Sequence, residues 1–289
     1  MIAVRLQGRL GNQLFQYAFI MATSQKLNTS FYIDQYIEFS AVDKYFSSIN
    51  GNPQSGLKQL FKIQGFKNIF SFYLRRYYYN YLVRANKLAV CNYGFNGITT
   101  EAIPEDNQLY LGFFQSELFF EPVKQVLKNK FSLKKSFTDA FRLKYENLYK
   151  NNTTVAVHIR RTDYQSLESL NLGGSDLSLP LAYYEKALAR FDQQNVHFVF
   201  VSDDVDFVNR NFTAINNKTV STDTEIMDFQ HLLNADACII SNSTFSWWAA
   251  WLNDKPGKVI YAPQYFLGWR IKQETPRNIY PDNWTIIDF

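Results

Sequence analysis

The sequence contains only two cysteines and three histidines among its 289 residues. Cys91 and Cys238 form no Cys-x-x-Cys pair, and no grouping of cysteines with histidines occurs anywhere in the chain. Structural zinc sites need closely spaced cysteines and histidines, and disulfide frameworks need several cysteines. The composition therefore argues against a structural zinc site and implies no disulfide framework.

Long apolar runs are also lacking. No stretch approaches the roughly 18 apolar residues that a membrane-spanning helix needs, and residues 2–6 (IAVRL) have the pattern of a core strand, which leaves no room for a signal peptide. We therefore expect a cytoplasmic protein. The aromatic and basic segment at residues 66–95 has mixed periodicity and suggests partial helix. It leaves two interpretations open, contact with the inner face of a membrane or ordinary packing.

Basic residues are too few and too scattered for a nucleic-acid-binding protein. The formal charge is +4, and no block of lysine and arginine is longer than two residues. No zinc-finger or recognition-helix motif accompanies them, so we expect no nucleic-acid partner. A mild excess of positive charge fits a ligand that carries phosphate, or an anionic membrane surface.

The chain does contain alternating strand and helix patterns. The apolar run at residues 2–6 is followed by two glycines and then by helical spacing at residues 12–27, which predicts a strand, a turn and a helix. The segment at residues 109–114 also has the pattern of a strand. Beyond residue 151, helical patterns separate four short apolar runs: VAVHI (155–159), VHFVFV (196–201), ACIIS (237–241) and VIYA (259–262). Strands that are apolar on both faces predict parallel sheets covered by helices. We predict an α/β protein with an N-terminal domain at residues 1–150 and a second domain at residues 151–289.

Polar residues follow the predicted strands at the points where a ligand is expected. In an open parallel sheet, ligands bind in the crevice beyond the carboxyl ends of the strands. The segments that follow strands are residues 8–13, 160–163, 202–204 and 241–244, and two of them carry groups suited to an anion. We therefore expect these segments to converge on one anionic ligand.

The segment after the strand at residues 155–159 contains the strongest anion-binding group. His158 and Arg160 are two residues apart, so a strand places them on the same side. Arginine offers a rigid fork of donors that matches phosphate. The alternative is that Arg160 and Arg161 form surface salt bridges with Asp163, which contribute little to stability. The position after a buried strand favours ligand binding.

Small hydroxyl residues mark the start of the helix after residue 241. The run Ser241, Asn242, Ser243, Thr244 and Phe245 lies where a strand turns into a helix. Backbone amides and the positive end of the helix dipole make such a position an anion site. The alternative is an ordinary N-cap by Ser243 or Thr244, which is compatible with phosphate binding.

Three acidic residues have less certain roles. Asp236 precedes the strand at residues 237–241, and a carboxylate could accept the N1 and N2 donors of guanine, although a simple turn residue fits equally. Asp203 and Asp204 resemble metal-binding acidic pairs, but neighbouring residues on a strand point to opposite sides. We interpret them as a contact to the ribose or base, or as a helix cap.

The glycine turn at residues 8–13 (GRLGNQ) fits neither a Walker A loop nor the Gly-x-Gly-x-x-Gly fingerprint. This absence disfavours a dinucleotide-dependent oxidoreductase. Asn12 and Gln13 place amide side chains at the start of the following helix, where they could hydrogen-bond the hydroxyls of a sugar.

Taken together, these motifs resemble the α-1,2-fucosyltransferases, glycosyltransferase family 11, and more distantly the α-1,6- and protein O-fucosyltransferases. The segments that carry the resemblance occur in the family's order: GRLGNQLFQYA (8–18), LGFFQSELFF (111–120), VAVHIRRTDY (155–164), FVSDD (200–204) and LLNADACIISNSTFSWWAAWL (232–252). Many relatives have glycine where this chain has Thr162. The resemblance implies a GT-B-like fold of two Rossmann-like halves, with the C-terminal half holding the donor and the N-terminal half on the acceptor side.

The resemblance also implies an activity, substrates and residue roles. It implies inverting transfer of L-fucose from GDP-fucose to O2 of a galactose-terminated oligosaccharide, in surface glycan synthesis, without a metal or other cofactor. It makes Arg160 the residue that grips the β-phosphate and Asp236 the carboxylate that binds guanine. The other donor-site residues that it implies are His158, Ser243, Thr244 and Phe245. Asp203 and Asn242, which follow predicted strands, complete the predicted donor site. It implies Asn12 near the fucose and the acceptor, whereas Gln13 is predicted at the acceptor site only from its amide side chain at the helix start.

The general base is left open by the sequence. Asp163 is the first candidate and Glu168 the second, while a salt bridge with Arg161 is an alternative role for Asp163. Two rival functions also remain, a fucosyltransferase of another linkage and a non-catalytic protein that binds nucleotide sugars or glycans.

Overall fold

The computed structural model describes residues 1–47, 69–93 and 104–289. The chain divides into two compact units, Met1–Ser132 and Leu133–Phe289. Each unit contains a parallel β-sheet with helices, which is the architecture that the alternation of apolar runs predicts.

The first unit is organised around a parallel sheet in the order β2-β1-β4-β3. Its elements are β1 (Ile2–Arg5), α1 (Leu10–Leu27), β2 (Phe31–Asp34), α2 (Ala41–Tyr45), α3 (Ile69–Ala85), β3 (Ala89–Asn92), β4 (Gln108–Leu111) and α4 (Lys124–Lys130). The central strand β1 is almost wholly buried because α1 and α3 cover the sheet with apolar and aromatic side chains.

The second unit has a parallel sheet in the order β10-β9-β8-β5-β6-β7. Its elements are α5 (Lys135–Asn151), β5 (Thr154–Ile159), α6 (Leu181–Leu188), β6 (His197–Ser202), α7 (Val205–Asn211), β7 (Lys218–Val220), α8 (Glu225–Asn234), β8 (Ala237–Ile239), α9 (Thr244–Leu252), β9 (Val259–Pro263) and β10 (Thr285–Ile287). Every residue of β5 is buried, which confirms the prediction of strands covered on both faces.

The strands that the sequence does not predict lie at the edges of the two sheets. Within the described residues these are β2, β3, β7 and β10, each of three or four residues. An edge strand is often short and partly exposed, so it lacks the continuous apolar run that identifies β5 and β6. The predicted central strands and the helices between them are confirmed.

The boundary between the two units differs from the predicted one. The prediction placed the boundary after residue 150, whereas the structure places it between Ser132 and Leu133. Helix α5 therefore belongs to the second unit, because it packs on α8. Phe141 of α5 makes an edge contact with the ring of His231 at 5.1 Å, and the hydroxyl of Tyr149 hydrogen-bonds Nδ1 of His231 at 2.8 Å.

The aromatic and basic segment at residues 66–95 is partly helical, as the sequence predicts, since α3 occupies Ile69–Ala85. Residues 66–68 and 94–95 of this segment lie outside the described residues. Among the helices of the described ranges, none has the length and apolar character that crossing a bilayer requires.

Candidate active site

The strand order of the second unit creates one crevice at the carboxyl edge of its sheet. From β5 the chain moves outward to β6 and β7, and it then returns through α8 to the other side of β5, where it continues with β8, β9 and β10. The connections therefore diverge between β5 and β8. In open α/β sheets this is the point at which ligands bind.

A buried hydrogen bond joins the two strands at this point. Nδ1 of His158 on β5 lies 2.7 Å from Oγ of Ser241, which follows β8, and the imidazole ring lies 5.5 Å from the ring of Phe245. Burial, helped by the positive charge of Arg160, lowers the pKa of His158 to about 3. The imidazole is therefore neutral at physiological pH and holds the strand ends together without adding charge.

Arg160 lies next, at the mouth of the crevice, between two carboxylates. Its guanidinium donates to the carboxylate of Asp163 at 2.8 Å and lies 3.3 Å from that of Asp203. The Arg160 side chain is 18 % exposed. A guanidinium that is always protonated, partly exposed and fixed from two sides can exchange a carboxylate for a phosphate oxygen, since both bind its N–H donors.

Two aspartates after β6 hold the turn that carries Arg160. Asp203 accepts hydrogen bonds from the backbone N–H groups of Arg161 at 2.9 Å and Thr162 at 3.2 Å, and from the Thr162 hydroxyl. Asp204 caps α7 by accepting from the N–H of Phe207, and it also pairs with Arg161. The capping alternative is thus confirmed for Asp204, while the role that the structure gives Asp203 is to fix the Arg160 turn.

The turn between β8 and α9 faces the same crevice. Ser243 is the N-cap of α9, but its side chain makes no capping hydrogen bond. Its side chain lies beside the hydroxyl of Tyr164 and acts to lower the pKa of that hydroxyl, and the Tyr164 ring lies 5.8 Å from the guanidinium carbon of Arg160. Tyr164 therefore connects the arginine turn with the start of α9. The positive end of the α9 dipole lies at this start, where a phosphate is stabilised.

Asn242 lies fully buried in the floor of this turn. Its Nδ2 donates to the carbonyl oxygen of Leu177 at 2.8 Å, while its Oδ1 is buried without a hydrogen-bond partner among the described residues. A buried acceptor without a partner is unfavourable, and a donor group of a ligand would relieve that cost. This property fits the predicted donor-site role of Asn242, which stays a prediction.

The glycine motif of the first unit forms a separate cluster. Gly8 has φ +74°, and a Cβ atom there would lie 2.5 Å from Nδ2 of Asn12, so the turn requires glycine. Oδ1 of Asn12 accepts from Nε2 of Gln115 at 2.8 Å. Gln16 donates to the carbonyl oxygen of Gly112, so the segments at residues 8–18 and 111–120 meet in one place. Sequence reasoning did not single out Gln115, although its segment was recognised.

A comparison with protein families identifies the chain. The family model described as glycosyl transferase family 11 matches residues 1–288. The chain belongs to glycosyltransferase family 11. The predicted family is therefore confirmed, and the protein is a glycosyltransferase.

Relatives and solved structures agree with this membership. An alpha-1,2-colitosyltransferase of Escherichia coli is 28% identical over 287 residues, which is 91% of each chain. The O-antigen biosynthesis glycosyltransferase WbnK of Escherichia coli is 34% identical over 126 residues, or 41% of each chain. The crystal structure of NodZ alpha-1,6-fucosyltransferase soaked with GDP-fucose superposes with a TM-score of 0.53 at 14% identity, over 87% of this chain and 92% of that one. This last likeness concerns the fold, and it confirms the predicted GT-B-like class.

In this family 11 chain, the predicted donor-site residues come together with one exception. His158, Arg160, Asp203, Asn242, Ser243, Thr244 and Phe245 lie at the carboxyl ends of β5, β6 and β8. Asp236 precedes β8 and lies at the opposite, amino edge of the sheet. There it accepts from the N–H of Thr154 at 2.8 Å and pairs with Lys255 at 2.7 Å. At about 3.3 Å per strand residue, roughly 20 Å separate Thr154 from Arg160, so the predicted contact of Asp236 with guanine is contradicted.

Two further predictions for this family 11 chain need correction. Gln13 is buried, and both ends of its amide are used: Nε2 donates to the carbonyl oxygens of Gly8 and Phe39, and Oε1 accepts from the N–H of Ala41. It is therefore a structural residue and not a ligand for a sugar hydroxyl. The salt bridge of Asp163 is with Arg160 and not with Arg161. Glu168 lies exposed in the loop after β5, so the identity of the base stays a prediction.

Proposed function

We propose that this glycosyltransferase transfers L-fucose from GDP-β-L-fucose to O2 of a terminal galactoside, with inversion at the anomeric carbon, in surface glycan synthesis. The observation that supports this proposal is the link from Arg160 through Tyr164 to the turn at Ser243. This link brings a cationic fork and a helix N-terminus to one crevice, an arrangement suited to a diphosphate leaving group. The colitosyltransferase and O-antigen relatives support both the linkage and the surface-glycan role.

The proposed chemistry breaks one bond and forms another at the fucose C1. The C1–O bond to the β-phosphate breaks, and its electron pair leaves with GDP. The acceptor O2 bonds C1 from the opposite face and loses its proton to a base. Negative charge grows on the β-phosphate, where Arg160 and the amides at the start of α9 stabilise it. Such fixed donors are commonly the largest catalytic contribution.

We assign the base role to Asp163, which is partly exposed beside Arg160. In an oxocarbenium-like transition state, the acceptor hydroxyl becomes acidic only late in the reaction. A weak base such as a carboxylate is therefore sufficient to accept its proton. Asp163→Asn should lower kcat and remove the acid limb of the pH–rate profile, whereas Glu168→Gln should leave both unchanged. If Glu168→Gln abolishes the acid limb instead, Glu168 is the base. If neither variant alters the profile, no carboxylate acts as base.

We further propose that no metal takes part, since Arg160 and α9 supply the positive charge that the leaving group needs. The acceptor sugar is assigned to the first unit, where Asn12 lies partly exposed beside Gln115. Substituting Asn12→Ala should raise the KM for the acceptor more than that for the donor.

The decisive experiment supplies GDP-fucose with lactose, N-acetyllactosamine or the type 1 disaccharide, with EDTA present, and determines the product linkage by NMR. Release of GDP together with an α-1,2-linked product supports the proposal. Turnover that requires added Mn²⁺ or Mg²⁺ would contradict the proposal that no metal takes part. A product with another linkage would contradict the assignment of galactose O2 as the acceptor. Donor binding without any GDP release in the presence of acceptors indicates a non-catalytic binding protein.

The 28% identical colitosyltransferase supplies a second candidate, transfer of colitose by the same site. A competition assay with the GDP-linked forms of both sugars distinguishes the two. A kcat/KM at least about tenfold higher for the fucose donor supports fucose transfer, and the reverse order supports colitose transfer.

A further inference from the structure

The net positive charge of the chain comes from its first unit. Residues 1–132 contain 14 basic and 8 acidic residues, a formal charge of +6, whereas residues 133–289 contain 16 basic and 18 acidic residues, a formal charge of −2. The stretch between Asp43 and Glu101 contains no acidic residue at all. Its basic residues are Lys44, Lys58, Lys62, Lys67, Arg75, Arg76, Arg84 and Lys87. An acid-free stretch of this length produces a local field that attracts an anionic partner.

Helix α3 lies within this stretch, and its two faces differ in what they contact. Tyr79 and Leu82 are buried against the sheet of the first unit. The guanidinium of Arg75 is also turned inward, where it donates to the carbonyl oxygen of Ile37 at 3.1 Å and lies 4.0 Å from the centre of the Phe39 ring. The inner face of α3 therefore packs against other residues of the first unit.

The outer face of α3 presents aromatic rings to the surroundings. Tyr73, Tyr77 and Tyr81 are spaced four residues apart, which places them in one row, and they are 60 %, 74 % and 59 % exposed. Leu74 beside them is 46 % exposed. Arg84 in the last turn of this helix and Lys87 in the turn that follows it are both exposed. We name this row of tyrosines, together with Leu74, Arg84 and Lys87, the tyrosine face.

We propose that the tyrosine face binds the surface of an anionic lipid bilayer. Tyrosine is enriched where membrane meets water, because its ring enters the apolar boundary while its hydroxyl stays hydrated. Basic residues beside such a helix face attract anionic headgroups. Helix α3 satisfies both conditions and carries no acidic residue that would repel the headgroups. A protein partner is less favoured, because the tyrosine hydroxyls would need matched buried partners.

The test measures co-sedimentation of the full chain with phosphatidylcholine vesicles that contain or lack about 30 % phosphatidylserine. We expect binding only to the anionic vesicles, and we expect binding to weaken at high salt. The variant Tyr73→Ser/Tyr77→Ser/Tyr81→Ser should bind about tenfold more weakly or worse. The variant Arg84→Glu/Lys87→Glu should also lose about tenfold or more. Circular dichroism melting verifies that both variants are folded.

Matched controls lie in the second unit. Arg210→Glu/Lys272→Glu changes the net charge of the chain by the same amount, and Leu143→Ser replaces an apolar residue that is 91 % exposed. Neither control should alter vesicle binding. Equal loss in the controls, or no binding to anionic vesicles, overturns the proposal. If the chain self-associates through this face and the tyrosine variant is monomeric, the face is a protein interface and the bilayer proposal fails. These readouts do not depend on fucose transfer.

Discussion

The hydroxyl of Tyr164 lies beside the side chain of Ser243, although the two residues are far apart in the sequence. This contact connects the turn that carries Arg160 with the N-terminus of α9. Burial raises the pKa of Tyr164 to about 12, so the hydroxyl keeps its proton at every pH at which the protein is assayed. The connection between the two halves of the crevice is therefore independent of pH in the working range.

Tyr164→Phe removes this hydroxyl contact but keeps the ring beside Arg160. We expect the kcat/KM for the donor to fall about tenfold, because a polar contact of this kind contributes about 1 kcal/mol and helps to fix the turn. Steady-state kinetics measure the effect, with the exposed Tyr73→Phe as the control. An unchanged kcat/KM in Tyr164→Phe would show that the turn needs no support from this hydroxyl.

Arg160→Ala should lower kcat by about a hundredfold or more, since removing one donor from a developing negative charge has an effect of this size. Arg142→Ala is a matched control, because Arg142 also pairs with an aspartate three residues away but lies exposed on α5. The control should keep full activity. Near-full turnover by a folded Arg160→Ala enzyme would be incompatible with the proposed leaving-group role.

Gln13→Ala should destabilise the first unit without changing how the folded enzyme binds the acceptor. The substitution removes three hydrogen bonds to the backbone of Gly8, Phe39 and Ala41, which lowers the free energy of unfolding by about 3 kcal/mol. Urea denaturation measures this change, and Asn129→Ala on the exposed side of α4 serves as the control. A higher acceptor KM with unchanged stability would restore the sugar-binding prediction for Gln13.

Asp228→Asn should change the pH dependence of stability. Burial, together with the charges of Asp223 and Glu225, raises the pKa of Asp228 to about 7. The folded state therefore binds a proton that the unfolded state has already lost, so this group stabilises the protein below its unfolded pKa. That stabilisation is lost as the pH rises through 7. The asparagine variant cannot titrate, and its Oδ1 can still accept from Ser221.

Relative to the wild type, Asp228→Asn should thus be more stable at pH 8 than at pH 5. Thermal unfolding at both pH values measures the difference. Asp139→Asn, on the exposed surface of α5, is the control. An equal shift at both pH values would mean that Asp228 is ionised throughout.

The sequence predicts the central part of the fold better than its edges. Strands β5, β6 and β8 are recognisable because burial on both faces requires continuous apolar runs. Strand β10 needs no such run, because it pairs on one side only. The placement of Arg160 and the Ser243 turn follows from the rule that ligands bind beyond the carboxyl ends of strands.

The same rule explains the error at Asp236. This residue precedes its strand, so the direction of β8 places it at the amino edge, away from the carboxyl ends where the ligand is expected. The roles of Tyr164 and Gln115 could not be predicted, because each depends on a contact with a residue distant in the sequence. Composition alone cannot distinguish such a tyrosine from the others in the chain.

The pairing of Arg160 with two aspartates also bears on turnover. Arg160 pairs with both Asp163 and Asp203. When a diphosphate leaves, these ion pairs can form again, so the guanidinium does not remain unpaired. Binding of a nucleotide diphosphate then exchanges the carboxylate partners of Arg160 for phosphate oxygens, so the net gain in electrostatic energy is small. Under the proposed function, a site of this kind favours rapid release of the nucleotide product over tight binding of it.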